Sequence, residues 1–239
     1  MMRDPAHPVT SKPDRPTAIV TGGSSGIGLA VALDLSRDHS VFVLGRNLNK
    51  LLALNDHEHI HTVQLDICDA EATAKFAARV SRVDVLVHSA AVSGRSTAEN
   101  ASIDQWQETF AINLFAPAEL TRLLLPKLRS AQGQVVFVNS GAGLRAIGGR
   151  TVYSASKFAL KALADALRQE EAAAGVRVAT VFPGPTDTPM NRKDREANSE
   201  PITDTISDPE AYADAVRVIV NIEKMSQITD LTVRPRFNP

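Results

Sequence analysis

The sequence has little of several features that define particular classes of protein. Cys68 is the one cysteine among 239 residues, which excludes an internal disulfide and a cysteine-rich zinc site. Charged residues interrupt every hydrophobic stretch, so no run approaches the roughly 18 apolar residues of a membrane-spanning helix. We therefore expect a soluble protein of a reducing compartment, the cytoplasm.

The chain also lacks an excess of charge of either sign. Lys and Arg number 26 and Asp and Glu 27, which leaves a net charge of −1, so no overall field would recruit nucleic acid or an anionic membrane. The hydrophobic share of 44% and the charged share of 22% exclude collagen-like and wholly disordered chains. We expect a small molecule as ligand, and neither nucleic acid nor membrane as partner.

Two segments lack regular hydrophobic patterning. Residues 1–16 carry prolines and no apolar run, which predicts a disordered tail and not a signal peptide. Residues 185–207 are polar and long for a loop, which predicts a substrate lid, with a disordered insertion as the alternative. Its mixed-charge cluster, residues 192–196, is interpreted as a solvated face, with a clamp for a substrate anion as the alternative. Residues 17–239 are predicted to form a single domain.

Short runs rich in Val, Ile and Leu alternate with longer stretches of helical spacing. This pattern predicts strands at 17–21, 40–45, 60–65, 83–88, 134–139, 176–182 and 228–233, and helices at 26–38, 47–54, 69–81, 104–128, 151–174 and 208–223. Several strands are apolar at consecutive positions, as expected when both faces of a parallel sheet are buried. The predicted fold class is α/β, a doubly wound Rossmann sheet of about seven parallel strands with helices on both faces.

A glycine-rich turn, TGGSSGIG, joins the first predicted strand to the first helix. In a dinucleotide-binding turn, Gly22 would allow the tight bend, Gly26 the approach of a pyrophosphate, and Gly28 the packing of helix on sheet. The helix N-terminus offers free N–H groups to the phosphates. The cofactor-binding residues predicted here are Gly22, Ser24, Ser25, Gly26, Ile27 and Gly28.

Other kinds of site share parts of this sequence pattern. The turn also matches the G-x-S-x-G elbow of α/β-hydrolases, but such an enzyme needs a late histidine and none follows His88. A P-loop would end in Gly-Lys-Ser/Thr, which is absent. His57, His59 and His61 could share one face of a strand, but no carboxylate or thiol set completes a site, so we expect no metal.

Arg46 follows the second predicted strand. At this point of a dinucleotide fold an acidic residue would bind the 2′-hydroxyl of the adenosine ribose, whereas an arginine accommodates a 2′-phosphate. The sequence Leu44-Gly45-Arg46-Asn47 has no acid. Arg46 therefore favours NADP(H) over NAD(H), with a solvated surface charge as the alternative.

Tyr153 and Lys157 lie four residues apart in a predicted helix, so they share one face. Tyrosine ionises at about pH 10, and a cation beside it would favour the phenolate and make the side chain usable as an acid or base. Such a pair alone is also common on exposed helices. Two further polar residues accompany it: Ser140 at the end of a buried run, and Asn113 in the preceding helix.

Together with the TGGSSGIG turn, these four residues resemble the short-chain dehydrogenase/reductase family, and the resemblance covers nearly the whole chain from Thr17 onward. It implies that Tyr153 is the general acid/base and that Lys157 lowers its pKa and holds the nicotinamide ribose. It also implies that Ser140 orients the substrate oxygen and that Asn113 holds a water in the proton relay. Asn113, Tyr153 and Lys157 thus also belong to the cofactor site.

The same resemblance assigns residues around the rest of the cofactor. It places Asp66 and Ile67 beside the adenine. Over the nicotinamide it places the segment that contains Pro183, Gly184, Thr186 and Thr188.

The chain departs from the family at two points. The usual Asn-Asn-Ala-Gly is replaced by His88-Ser89-Ala90-Ala91, so Ser89 and Ala90 are expected to contact the cofactor through backbone only, and Ala91 would be strained at positive φ. His88 is interpreted as a structural histidine. The ending ITDLTVRPRFNP resembles a subgroup of NADP-dependent 3-hydroxy acid and serine dehydrogenases.

The resemblance implies an NADP(H)-dependent oxidoreductase acting on CH–OH groups, in which hydride transfer interconverts a carbonyl and a secondary alcohol. It also implies a homodimer or homotetramer assembled through the helices predicted at 104–128 and 151–174. The alternative is a catalytically silent NADP(H)-binding sensor or interaction protein of the same fold. The complete set of Asn113, Ser140, Tyr153 and Lys157 argues against that alternative.

Overall fold

A computed structural model describes residues 15–199 and 206–237. Most of the predicted tail, residues 1–14, lies outside the described residues, as do residues 200–205 of the segment predicted as a lid. Within the described ranges no helix is long and apolar enough to cross a membrane.

Seven parallel strands form one sheet in the order β3-β2-β1-β4-β5-β6-β7. The strands are β1 (Thr17–Thr21), β2 (Ser40–Gly45), β3 (Ile60–Gln64), β4 (Val85–His88), β5 (Gln134–Val138), β6 (Arg177–Pro183) and β7 (Asp230–Val233). The helices are α1 (Gly26–Leu35), α2 (Leu48–Leu52), α3 (Ala70–Arg79), α4 (Ile103–Phe110), α5 (Ala116–Ala131), α6 (Thr151–Glu170), α7 (Pro189–Ala197) and α8 (Glu210–Asn221). The predicted doubly wound α/β fold is confirmed.

The consecutive apolar residues of the strands are explained by two core layers, one on each face of the sheet. Successive side chains of a strand point to opposite faces, so Val20 packs in the layer beneath α1 and α8, whereas Ile19 packs in the layer beneath α3, α5 and α6. Both side chains are fully buried. A strand that is buried on both faces therefore carries apolar residues at consecutive positions, and does not alternate apolar with polar residues.

The strand order reverses at β1, which pairs with β2 on one side and β4 on the other. In open parallel sheets, ligands bind at such a switch point, beyond the carboxyl ends of the strands. The segments that leave β1, β4, β5 and β6 therefore define the region in which a site is expected.

The helix predicted at 104–128 is divided into α4, a π-helical segment (Ala111–Phe115) and α5. In an α-helix the N–H of residue 117 would donate to the carbonyl of Asn113, but Pro117 has no N–H. The π-helical segment lies where that bond is missing, and π-helical turns are frequent at functional sites.

The segment 185–207 contains α7, which the apolar spacing did not predict because the helix buries no side chain. Thr188 caps α7 by accepting a hydrogen bond from the Asn191 N–H at 3.2 Å. The two ends of the segment meet: the Asp187 N–H donates to the Ser207 carbonyl at 2.9 Å, and the Ser207 N–H donates to the Pro185 carbonyl at 3.0 Å.

Candidate active site

One cavity of about 840 Å³ opens beyond the carboxyl ends of the strands. It is lined by most of the residues that the sequence singles out: Gly22, Ser24, Ser25, Gly26, Ile27, Arg46, Asp66, Ile67, Ser89, Ala90, Ser140, Tyr153, Lys157, Pro183, Gly184, Thr186 and Thr188. Gly28 and Asn113, which the sequence also singles out, do not line the cavity.

The glycine-rich turn leaves no room for a side chain at Gly22 or at Gly28. Gly22 has φ +66°, and a Cβ there would lie 2.8 Å from the backbone of Ala90. A Cβ on Gly28 would lie 2.5 Å from the Gly22 carbonyl oxygen. These contacts keep the first turn of α1 close against the strand ends, so its N-terminus faces the cavity in the arrangement that suits a pyrophosphate.

Thr21 joins this turn to the segment after β4. Its Oγ1 accepts hydrogen bonds from the N–H groups of Ser89 at 3.1 Å and Ala90 at 3.2 Å. Because both N–H groups are used, backbone contacts of Ser89 and Ala90 with a cofactor would involve their carbonyls. Ala91 is not strained, since Gln132 and Ser199 are the non-glycine residues with positive φ among those described.

Arg46 lies at the other end of the cavity, beside β2. Its Nη1 is 3.8 Å from Asp66 Oδ2, and its side chain is 65% exposed. Lys50, one turn further on at the start of α2, lines the same corner. The two cations outnumber Asp66, so this corner retains positive charge that suits a phosphate.

Tyr153 and Lys157 lie in the first two turns of α6. Lys157 is 2% exposed; its Nζ donates to the Val138 carbonyl at 3.4 Å and lies 5.8 Å from the centre of the Tyr153 ring. Burial lowers the pKa of Lys157 to about 8. Burial also raises the pKa of Tyr153, against the opposing effects of a hydrogen bond with Ser140 and of the Arg150 charge. The chain alone therefore keeps Tyr153 protonated.

Ser140 and Asn113 are held in place by the backbone around them. The Ser140 Oγ accepts from the Ala142 N–H at 3.1 Å. The Asn113 amide exchanges two hydrogen bonds with the Val92 backbone, at 2.9 and 3.0 Å, and donates to Ser156 Oγ at 3.0 Å. Its side chain is thus occupied with joining the β4–α4 segment to α6. Pro117 has no N–H and so cannot donate the usual α-helical bond to the Asn113 main-chain carbonyl.

Asp194 holds α7 over the cavity. Its Oδ2 pairs with Arg150, at the start of α6, and with Arg95 Nη2 at 3.2 Å, in the segment after β4. At the other end of the helix, the Thr188 methyl group lies 3.1 Å from the position that a Cβ on Gly26 would take. The segment therefore spans the cavity from the glycine-rich turn to α6.

Several charged residues of the lining were not singled out from the sequence as site residues. Two of them could have been found from their spacing to a predicted site residue: Lys50 follows Arg46 by four residues, and Arg150 precedes Tyr153 by three. Arg145 and Arg234 could not, because only the fold brings them to the cavity. The residues in question are Lys50, Arg145, Arg150 and Arg234, whereas Asp194 and Arg195, which also line the cavity, belong to the mixed-charge cluster at 192–196. Among the described residues, no group of three or more metal-ligating side chains is arranged to hold a metal ion.

Comparisons with known proteins agree with this geometry. The family model for the short chain dehydrogenases matches residues 16–199. A glycine betaine reductase, ATRR, from Emericella nidulans is 31% identical over 98% of this chain, and a 3-dehydrosphinganine reductase from Danio rerio is 30% identical over 83% of it. The aligned part makes up 19% of the first relative and 66% of the second, so both are longer proteins.

The fold comparison gives the same result. A solved structure described as a short chain dehydrogenase/reductase family protein has a TM-score of 0.83 and 29% identity, covering 91% of this chain and 95% of its own. The family match covers more than half of the sequence, and the relatives are dehydrogenases and reductases. The chain therefore belongs to the short-chain dehydrogenase family.

Proposed function

We propose that the protein is an NADP(H)-dependent oxidoreductase that interconverts a carbonyl and a secondary alcohol on a small molecule. The observation that carries this proposal is a single cavity with the glycine-rich turn at one end and Ser140, Tyr153 and Lys157 at the other. A dinucleotide needs both a phosphate cradle and a reacting end, and the cavity joins the two.

The residues present fit such a cofactor. Gly22 and Gly28 permit the close backbone contacts that hold the N-terminus of α1 at the cavity, and Arg46 with Lys50 supplies cations where a 2′-phosphate would lie. When bound, the dinucleotide supplies or accepts the hydride. Asp66, Ile67 and the segment from Pro183 to Thr188 would enclose its two ends.

The side chains of the protein would carry out the proton transfer. Tyr153, kept neutral by burial, would donate its phenolic proton to the oxygen of a carbonyl substrate, and Ser140 would hold that oxygen by a hydrogen bond. Lys157, buried beneath the ring, would stabilise the phenolate that results. Water at the Asn113 carbonyl would return a proton to the site.

The relatives support the direction of reduction, since two of them are named as reductases of a 3-keto sphingoid base. We further propose that residues 17–239 form one catalytic domain with a lid at 185–207. We also propose that the protein acts in the cytoplasm as a homodimer or homotetramer.

The decisive experiment is to replace Tyr153 by Phe. Loss of a general acid typically costs about 10²–10⁴ in rate, so Tyr153→Phe should lose NADPH oxidation across a panel of ketones and aldehydes while retaining NADPH affinity. The matched control is Tyr212→Phe, because Tyr212 is fully buried in α8, away from the cavity. Normal turnover in Tyr153→Phe would refute the mechanism. Tight NADPH binding by the native protein without turnover of any substrate would favour the silent sensor instead.

A further inference from the structure

The charges along the cavity are not balanced at its reacting end. Four arginines and one carboxylate line this part of the cavity: Arg145, Arg150, Arg195, Arg234 and Asp194. The phosphates of a dinucleotide would not compensate them, because those phosphates lie towards the glycine-rich turn and Arg46. This excess of positive charge therefore calls for another explanation.

Some of these charged side chains have partners within the protein. Asp194 is shared by Arg150 and Arg95, and Arg195 Nε donates to Asn191 Oδ1 at 3.0 Å. Among residues 15–199 and 206–237, Arg145 and Arg234 have no carboxylate partner. Two guanidinium groups are thus left facing the cavity without a counter-charge.

Arg234 lies close to the residues that would react. It directly follows β7, whose last carbonyl, on Val233, accepts from the Gly184 N–H at 2.9 Å. The Nη2 of Arg234 lies 3.7 Å from the position that a Cβ on Gly141 would take, and Gly141 follows Ser140. The guanidinium therefore lies beside the residue that follows Ser140, whose hydroxyl would hold the substrate oxygen.

Taking the proposed function as its basis, we infer that the substrate carries an anionic group, a carboxylate or a phosphate, which binds to Arg234 with help from Arg145. A guanidinium offers a planar pair of N–H donors that matches either anion. The group would lie next to the reacting carbonyl, since Arg234 lies next to Gly141. The cofactor phosphates and the substrate anion would then occupy opposite ends of the same cavity.

Two cations of α7, Arg192 and Arg195, already have partners within their own segment. Arg192 binds both carboxylate oxygens of Asp187, each at 2.6 Å, and does not line the cavity. A substrate clamp formed by that cluster of charges is therefore less well supported than one formed by Arg234 from β7 and Arg145 from the segment after β5.

The test compares matched substrates that differ only in charge. NADPH oxidation would be measured with 2-oxo-, 3-oxo- and 4-oxopentanoate against their methyl esters, and with dihydroxyacetone phosphate against dihydroxyacetone. A charge-assisted hydrogen bond changes affinity by about tenfold to a hundredfold, so kcat/KM should favour one class of anion by that factor. The preferred class distinguishes a carboxylate from a phosphate.

Arg234→Met should lower kcat/KM for the anionic substrate far more than for its neutral partner and so remove this preference, and Arg145→Met should reduce it in part. The matched control is Arg236→Met, because Arg236 lies over the Phe237 ring, 5.4 Å from its centre, and does not line the cavity. Equal kcat/KM for charged and neutral substrates would overturn the inference. So would a loss of NADPH affinity in Arg234→Met with the preference retained.

A binding measurement separates this inference from the proposed function. If no carbonyl compound is turned over, the proposed function fails, and the same anions are titrated by calorimetry into protein saturated with NADP⁺. Binding of an oxo acid or phosphate, but not of its neutral partner, that is lost in Arg234→Met would support the anion site on its own. Absence of such binding would overturn it.

Discussion

His88 lies at the end of β4. It is 2% exposed, stacks on Phe137 with ring centres 5.0 Å apart, and shares a hydrogen bond with Thr121 Oγ1 at 2.8 Å through Nε2. Its other nitrogen has no partner among the described residues. Burial lowers the pKa of His88 to about 3, so the ring is neutral at physiological pH. It does not line the cavity, which favours a structural role.

This histidine should make the fold sensitive to acid. The unfolded chain binds a proton at about pH 6.5, whereas the folded chain resists it down to about pH 3. The stability contributed by neutral His88 is therefore lost progressively as the pH falls between those values. From pH 7 to pH 5 the free energy of unfolding should fall by about 2 kcal/mol through this group.

Urea unfolding at the two pH values would measure the effect. His88→Asn should remove most of this pH dependence, whereas His57→Asn, at an exposed position, should leave it intact. An unchanged pH dependence in His88→Asn would contradict the assignment.

The candidate site could be predicted from the sequence only where its residues follow a local rule. Gly22 and Gly28 could be predicted because backbone contact excludes a side chain at both positions. Tyr153 and Lys157 could be predicted because a separation of four residues places two side chains on one face of a helix. Arg234 could not be found in this way, since it meets Gly141 only when β7 pairs beside β6. Residues that act through local geometry are predictable, whereas those brought together by topology are not.

At the scale of elements, buried strands were the most predictable. The strand predicted at 134–139 forms as Gln134–Val138 and that at 176–182 as Arg177–Pro183, because both faces of each strand are buried and require apolar residues. The helix predicted at 104–128 is divided because Pro117 cannot donate to Asn113. Helix α7 was missed because it covers a cavity and packs no apolar face into the core.

The contacts of α7 lead to a prediction about this element. Asp194 holds the helix to Arg150 and Arg95, and its charge raises the pKa of Tyr153 while that of Arg150 lowers it. Asp194→Asn should weaken the attachment of α7 to Arg150 and Arg95 and raise the KM for substrate. It should also leave Arg150 uncompensated, so the loss of reductase activity at high pH, where Tyr153 deprotonates, should begin at lower pH.

A matched control on the same segment is Asp187→Asn, which breaks the pair with Arg192 outside the cavity lining. It should leave both the KM and the pH profile of reduction unchanged. If Asp187→Asn and Asp194→Asn behaved alike, the effect would belong to the general stability of the segment and not to the ion pairs of Asp194 at the cavity.

At the scale of the whole molecule, the cavity draws on segments from both halves of the sheet. The glycine-rich turn and Arg46 follow β1 and β2, whereas Ser140 and Gly184 follow β5 and β6 on the other side of the switch point. A ligand that spans the cavity contacts both halves and binds only the folded chain. Its affinity should therefore appear in the stability of the entire sheet, as a function of the ligand concentration.

Thermal unfolding with NADPH and with NADH would use this linkage to test Arg46. At equal concentration NADPH should raise Tm more than NADH, because the 2′-phosphate adds a charge-assisted contact. If Arg46→Ala weakens NADPH binding about tenfold, it removes about 1.4 kcal/mol of that stabilisation, which lowers the Tm gain by about 3–6 °C for a chain of this size.

The gain from NADH should be unchanged, and Arg37→Ala, which disrupts an exposed pair with Asp34, should respond to both cofactors as the native protein does. If NADPH and NADH raised the Tm of the native protein equally, the end of the cavity at Arg46 would not bind the 2′-phosphate. Arg46 would then be a solvated surface charge.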